Sequence, residues 1–167
     1  MVNPIQPFEE IEMKCPFCNP EINLTAFSEC SNFLAIYDIA PILPGHSLII
    51  PKRHIQSVHD LSNEQFNEFF QFGREVTRKL SIIFKTDAFD WIIQENEEAG
   101  QSIPHLHLHI ILRTKDDLPN AGDWYTVLKN RKNEEVVDSE NRPHYSINEL
   151  KLIAQKLKDA FAELDKK

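Results

Sequence analysis

The sequence contains no apolar run near the ~20 residues that a membrane span requires, so no membrane partner is expected. Its opening, MVNPIQPFEEIEMKC, lacks a basic stretch followed by an apolar one, so no secretory signal is expected. Basic charge is scarce. Lys and Arg number 18 against 26 Asp and Glu, a formal net charge of -8. Such a surface argues against nucleic acid as the partner, because that partner calls for a basic face. A small nucleotide is still allowed, since it needs only a local patch of donors. Cysteine is sparse, with Cys15, Cys18 and Cys30 alone. An odd, thin set points to reduced thiols in the cytoplasm rather than to a disulfide framework. Internal repeats and low-complexity tracts are absent.

What remains is ordinary for one globular domain spanning 1–167. Hydrophobic residues make up 41% and charged residues 26%, enough to build a core. Residues 1 to about 20 are proline-rich and expected to be irregular. FLAIYDIA (33–40) reads as a strand, PILPGHS punctuates it, and SLII (47–50) is a second strand stopped by Pro51. Ser62 and Gln65 have capping-box spacing. Phe66, Phe69, Phe70, Val76, Leu80 and Ile83 then recur at helical intervals to about Phe84. FDWIIQ (89–94) and HLHLHIILR (105–113) read as strands, and the short polar link between them implies an antiparallel pair. Residues 114–145, with Trp124 and Tyr125, read as a long loop. Ser146 and Glu149 cap a final helix over 146–165, striped by Ile147, Leu150, Ile153, Leu157, Phe161 and Leu164. The order β–β–α–β–β–α predicts an α+β fold with a mainly antiparallel sheet and a core over about 15–113.

IPHLHLHIIL (103–112) sets His105, His107 and His109 on alternate positions. On a strand they share one face, and Leu106, Leu108 and Ile110 share the other, under a helix. A solvent-facing stripe would more commonly carry Lys, Glu, Thr or Ser. Along a strand, His105 and His109 would lie about 13 Å apart, too far for one zinc ion to collect both. Divided roles suit the pattern better. A neutral imidazole is nucleophilic near pH 7, and phosphorus is a plausible electrophile. The preceding AGQS turn adds backbone N–H groups, the Gln101 amide and the Ser102 hydroxyl, as an anionic transition state requires. A zinc hydrolase using His105, His107 and a third ligand around an open position is the competing chemistry.

GQSIPHLHLHIILR resembles the signature of the histidine triad (HIT) superfamily, three histidines alternating with apolar residues. NFLAIYDIAPILPGHSLIIPKRH resembles that family's upstream nucleotide-binding half, and together the two motifs span about 15–113. The resemblance implies a HIT-like fold with one long central helix. It implies that His107 attacks the α-phosphorus and forms a nucleotidyl-histidine, that His109, Gln101 and Ser102 contact the phosphate, and that His46 supports the triad. Asp38 would accept from the ribose hydroxyls, a task suited to a carboxylate, and Ile36, Ile39 and Phe17 would sandwich a purine base. Gln94 resembles the glutamine of the fragile-histidine-triad branch, which hydrolyses dinucleoside polyphosphates, and would touch the bridging phosphate oxygen. The phosphoramidase branch usually carries Asn there. A purine nucleoside phosphoramidase and a nucleotide sensor without turnover stand as alternatives. Mg²⁺ would travel with a polyphosphate substrate. The resemblance also implies a homodimer joined through a helix and an edge strand.

CPFC (15–18) has zinc-knuckle spacing, and the same spacing occurs in redox pairs, which sit at a helix start after a strand. The resemblance extends to HIT proteins that hold zinc through such a pair, the histidine of IPK-x-His and the first triad histidine. Those positions are Cys15, Cys18, His54 and His105, a closed and therefore structural Cys₂His₂ set. His59 and His144 are read as surface residues.

Overall fold

The computed structural model describes residues 15–120, 122–123 and 144–166. Five strands form one antiparallel sheet: β1 (Ala26–Glu29), β2 (Phe33–Tyr37), β3 (Ser47–Pro51), β4 (Ala88–Ile93) and β5 (Leu108–Arg113), in the order β1-β2-β3-β5-β4. Two helices accompany it, α1 (Asn63–Phe84) and α2 (Ile147–Leu164). Among the described residues, no helix is long and apolar enough to cross a membrane.

Both helices start where side-chain chemistry dictates. Ser62 accepts from the Gln65 N–H while the Gln65 side chain accepts from the Ser62 N–H, and Ser146 and Glu149 repeat the exchange. Each box satisfies donors that a helix start would otherwise leave unpaired. α1 lays Phe69, Phe72, Val76 and Leu80 on one sheet face, against Leu106, Leu108, Ile110 and Leu112. So the leucines between the histidines do lie under a helix. α2 joins that core through Leu150, Ala154, Leu157 and Phe161. The opposite sheet face carries a smaller cluster, Leu34, Ile36, Leu48 and Ile50, with Phe17 and Ile22 packed onto it.

The structure differs from the sequence reading in three elements. β1 was not expected: four residues with Ser28 inside give almost no periodicity, and its pairing with β2 is interrupted by an irregularity. β2 stops at Tyr37, because the Asp38 carboxylate turns back to accept from the Ala40 N–H at 2.7 Å. β5 begins at Leu108 rather than His105. Upstream of it, the Leu106 N–H donates to the Ile55 carbonyl, a loop partner beyond the end of β3, so the ladder is not continued. The loop expected over 114–145 lies largely outside the described residues, as do Trp124 and Tyr125.

Candidate active site

Cross-strand register places Ile36 opposite Leu48, and Leu48 opposite His109. These residues form part of a cleft of about 440 Å³ on the sheet face away from α1, a size suited to a small molecule. Phe17, Asp38, Ile39, Ser102 and His107 also line it. Ile39 is 57% exposed, which a core residue would not be and a ligand-facing one can be.

The partners of the imidazoles assign their tautomers. His107 Nδ1 lies 2.7 Å from the His105 carbonyl oxygen. A carbonyl only accepts, so Nδ1 carries the proton and Nε2 carries the lone pair. At His46, the Ile42 N–H donates to Nδ1 at 3.1 Å, which puts the His46 proton on Nε2. That N–H donates to His109 Nδ1 at 2.9 Å, and Asp38 Oδ2 stands 3.6 Å from the same nitrogen. His109 then bears its own proton on Nε2. His107 and His109 are neighbours, with ring centroids 4.9 Å apart. The site therefore sets a lone-pair nitrogen beside a proton-bearing one, the pairing that a nucleophile and an oxyanion donor require. Asp38, His46 and His109 also have the spacing of a metal-ligand group. Their nitrogens are already joined by a hydrogen bond, and this favours a relay over a metal there.

Cys15, Cys18 and His54 gather around the His105 ring. Their donor atoms all lie within 4.8 Å of one another. Cys15 Sγ and Cys18 Sγ are 3.4 and 3.5 Å from His105 Nδ1, and Cys18 Sγ is 3.3 Å from His54 Nδ1. Bond lengths of about 2.3 Å to sulfur and 2.1 Å to nitrogen would place tetrahedral zinc ligands roughly 3.3–3.8 Å apart, so the four residues fit the ion. His105 Nε2 donates to the Pro51 carbonyl at 3.0 Å, which leaves the Nδ1 lone pair turned towards the thiols. Burial holds the His105 pKa down to about 4, so the neutral ring prevails at ordinary pH.

Not every expected residue reaches the cleft. His46, expected as a support to the triad, is fully buried and meets the cleft through its contacts with His109 and Asp38. Gln101 is buried too, but its amide accepts from the Asn96 N–H and donates to the Gln56 carbonyl, bracing the loop rather than lining the cleft. Gln94 donates to the Ala99 carbonyl at 2.8 Å and likewise does not line it. Gly100 lets these residues close up. Its φ is +97°, and a Cβ there would stand 2.5 Å from the Gln94 amide nitrogen. The sequence reading missed several lining residues, notably Ile22, Leu48, Ile147 and Leu150. Leu48 was discoverable as the strand partner of Ile36. Ile147 and Leu150 carried only a helical stripe, which says nothing of what the helix covers.

The family model for the HIT domain matches residues 19–116, more than half of the chain. The chain belongs to the HIT domain family. It is 32% identical over 123 residues to the bis(5'-adenosyl)-triphosphatase of Dictyostelium discoideum, covering 70% of this chain and 83% of that protein. It is 37% identical over 100 residues to the asymmetrical bis(5'-nucleosyl)-tetraphosphatase of Schizosaccharomyces pombe, covering 60% of this chain and about half (54%) of the other. A Zn-bound histidine triad family protein from Mycobacterium smegmatis has a similar structure, with a TM-score of 0.67 and 25% identity over 93% of this chain and 98% of that one. A Plasmodium falciparum diadenosine triphosphate hydrolase shares the fold, with a TM-score of 0.65 and 21% identity over 84% of this chain and 78% of that one.

Proposed function

We propose that this HIT protein hydrolyses dinucleoside polyphosphates of the diadenosine tri- or tetraphosphate type. The observation that carries the reading is the His107 tautomer. One nucleoside fits between Phe17, Ile36 and Ile39, with its ribose hydroxyls at Asp38. His107 Nε2 attacks the α-phosphorus, the P–O bond to the rest of the polyphosphate breaks, and a nucleotidyl-histidine forms. His109 Nε2–H and the Ser102 hydroxyl face the phosphate oxygens, and Mg²⁺ arrives with the substrate. Water then cleaves the P–N bond and releases the nucleoside monophosphate. The relatives named as hydrolases of these anhydrides support the substrate class.

The resemblance to this branch rests on Gln94 and on the C-terminal segment NRPHYSINELKLIAQKLKDAF, and the Gln94 side chain is engaged with the Ala99 carbonyl instead of the cleft. A phosphoramidase is therefore the second reading. A product assay comparing diadenosine triphosphate and tetraphosphate with adenosine phosphoramidate decides between them. Faster turnover of the two anhydrides is expected. A strong preference for the phosphoramidate would overturn the proposal.

The reading includes a structural Zn²⁺ on Cys15, Cys18, His54 and His105. The ion would supply a rigid tetrahedral anchor and no chemistry on the substrate. The neutral Nδ1 donor of His105 and the clustered thiols support it. The reading also includes a homodimer and a cytoplasmic, reducing setting. β4 is an edge strand. Beside it runs an aromatic row, Phe66–Phe70–Trp91–Phe89, with successive centroids 4.7, 6.3 and 5.9 Å apart. Phe66 and Phe89 at its ends are 44% and 45% exposed. An open strand edge beside exposed aromatics suits pairing with a second copy.

A further inference from the structure

The two cysteines bracket Pro16 and Phe17, and the chain then runs through Asn19, Glu21 and Ile22, all of which line the cleft. One wall of the cleft is thus a short irregular segment. Phe17 and Ile22 pack it onto the sheet. Among the described residues, the side-chain hydrogen bonds that tie it to other elements include those from the two thiols to His54 and His105. Phe17 sits between the thiols and the nucleophile. Its ring contacts His105 edge-on at 5.6 Å and 84°, and His107 at 5.6 Å and 63°. His105 makes the second link. Its ring faces the thiols, and its carbonyl holds the His107 proton on Nδ1.

We propose that the Cys15–Cys18 turn governs the cleft, with Phe17 and the His105 carbonyl as positioning groups that transmit the state of the Cys15, Cys18, His54 and His105 cluster to the base-binding wall and to His107. This rests on the nucleotide-binding reading of the cleft and goes beyond a merely stabilising metal site. With the cluster closed on its ion, Phe17 is pinned against the cleft and the His105 peptide is fixed. With the cluster open, the 15–25 segment keeps its packing on the sheet but loses its thiol anchors, the wall loosens, and the His105 carbonyl no longer enforces one His107 tautomer.

The test uses the full chain, stripped by a chelator and then reloaded with Zn²⁺. AMP affinity is read by calorimetry and the His107 tautomer by ¹⁵N resonances of the imidazole, neither of which requires turnover. Stripping is expected to weaken AMP binding about tenfold or more, the loss expected when an aromatic wall no longer stacks on a base, and to mix the His107 tautomers. Reloading restores both, and Cys30→Ser behaves as the parent. Phe17→Ala is expected to take up Zn²⁺ normally yet lose AMP affinity to a similar degree, with recovery in Phe17→Tyr. If stripping unfolds the chain, the Phe17 variants decide. A stripped, folded chain with unchanged AMP affinity and unchanged His107 resonances overturns the proposal. So does a Phe17→Ala variant that binds AMP like the parent, or a chain that takes up no Zn²⁺. Loaded protein that does not bind AMP at all sinks the nucleotide reading itself. Loaded protein that binds AMP without regard to the metal sinks only this inference.

Discussion

On the proposed reading, the bond from His107 Nδ1–H to the His105 carbonyl makes His107 Nε2 the attacking nitrogen. Replacing His107 with Asn is expected to lower turnover by about four orders of magnitude or more. Nucleotide affinity should be nearly unchanged, because the wall residues are untouched. Steady-state rates together with calorimetry check this, and retained turnover would remove His107 as nucleophile. Cys30 supplies a second residue-scale prediction. Burial, aided by its bond to Glu68, pushes this thiol up to about 11. It therefore stays protonated at pH 8, and the thiolate is the reactive form. Metal-loaded native protein should show no fast-reacting thiol at that pH, and chelation should release two, Cys15 and Cys18. Rapid alkylation of Cys30 in the native protein, located by peptide mapping, would contradict this.

At the scale of elements, both capping boxes were legible because each is a four-residue local device. The alternation of histidine and leucine was legible for the same reason. β1 was not, and neither were the orientations of Gln94 and Gln101, which depend on a loop closing over Gly100. Nor could the strand start at Leu108 be read locally, because a distant carbonyl, that of Ile55, draws the Leu106 N–H away. The end of β5 is held by Arg113. Its guanidinium donates to both Asp117 oxygens at 3.0 and 2.8 Å and to Asp90 at 2.9 Å. Arg113 holds the Asp117 carboxyl below its ordinary value. A depressed carboxylate pKa contributes stability above the unfolded value of about 3.9, and that stability is lost as pH falls through the folded value. Asp117→Asn should therefore destabilise the fold by roughly 1–3 kcal/mol at pH 7. The deficit relative to the parent should begin to shrink below about pH 4, where the unfolded carboxyl protonates, and should disappear as pH falls through the lower folded value. Denaturant melts at pH 7 and pH 3 measure it, and an equal deficit at both would refute the charge-based account.

For the whole molecule, the sheet divides the work. One face carries the main core under α1, and the other carries the cleft, with the triad strand bordering both. The sequence motifs named residues that the fold does bring to the cleft, Asp38, Ser102, His107 and His109 among them, because family-specific spacing survives without knowledge of packing. They could not show that α2 returns to contribute Ile147 and Leu150, since that contact joins residues far apart in the sequence. The aromatic row beside β4 carries the assembly prediction. Phe89→Asp places a charge in that row and should convert a dimer to a monomer in analytical ultracentrifugation. A parent chain that sediments as a monomer would contradict the dimer reading.

The proposed function turns on a covalent intermediate at His107. The most direct measurement is a single-turnover reaction with diadenosine triphosphate, quenched in alkali and mapped by peptide mass spectrometry. An adenylyl group is expected on the peptide containing His107, formed within one turnover and absent from His107→Asn. Full turnover with no adduct, or an adduct on another residue, would contradict it.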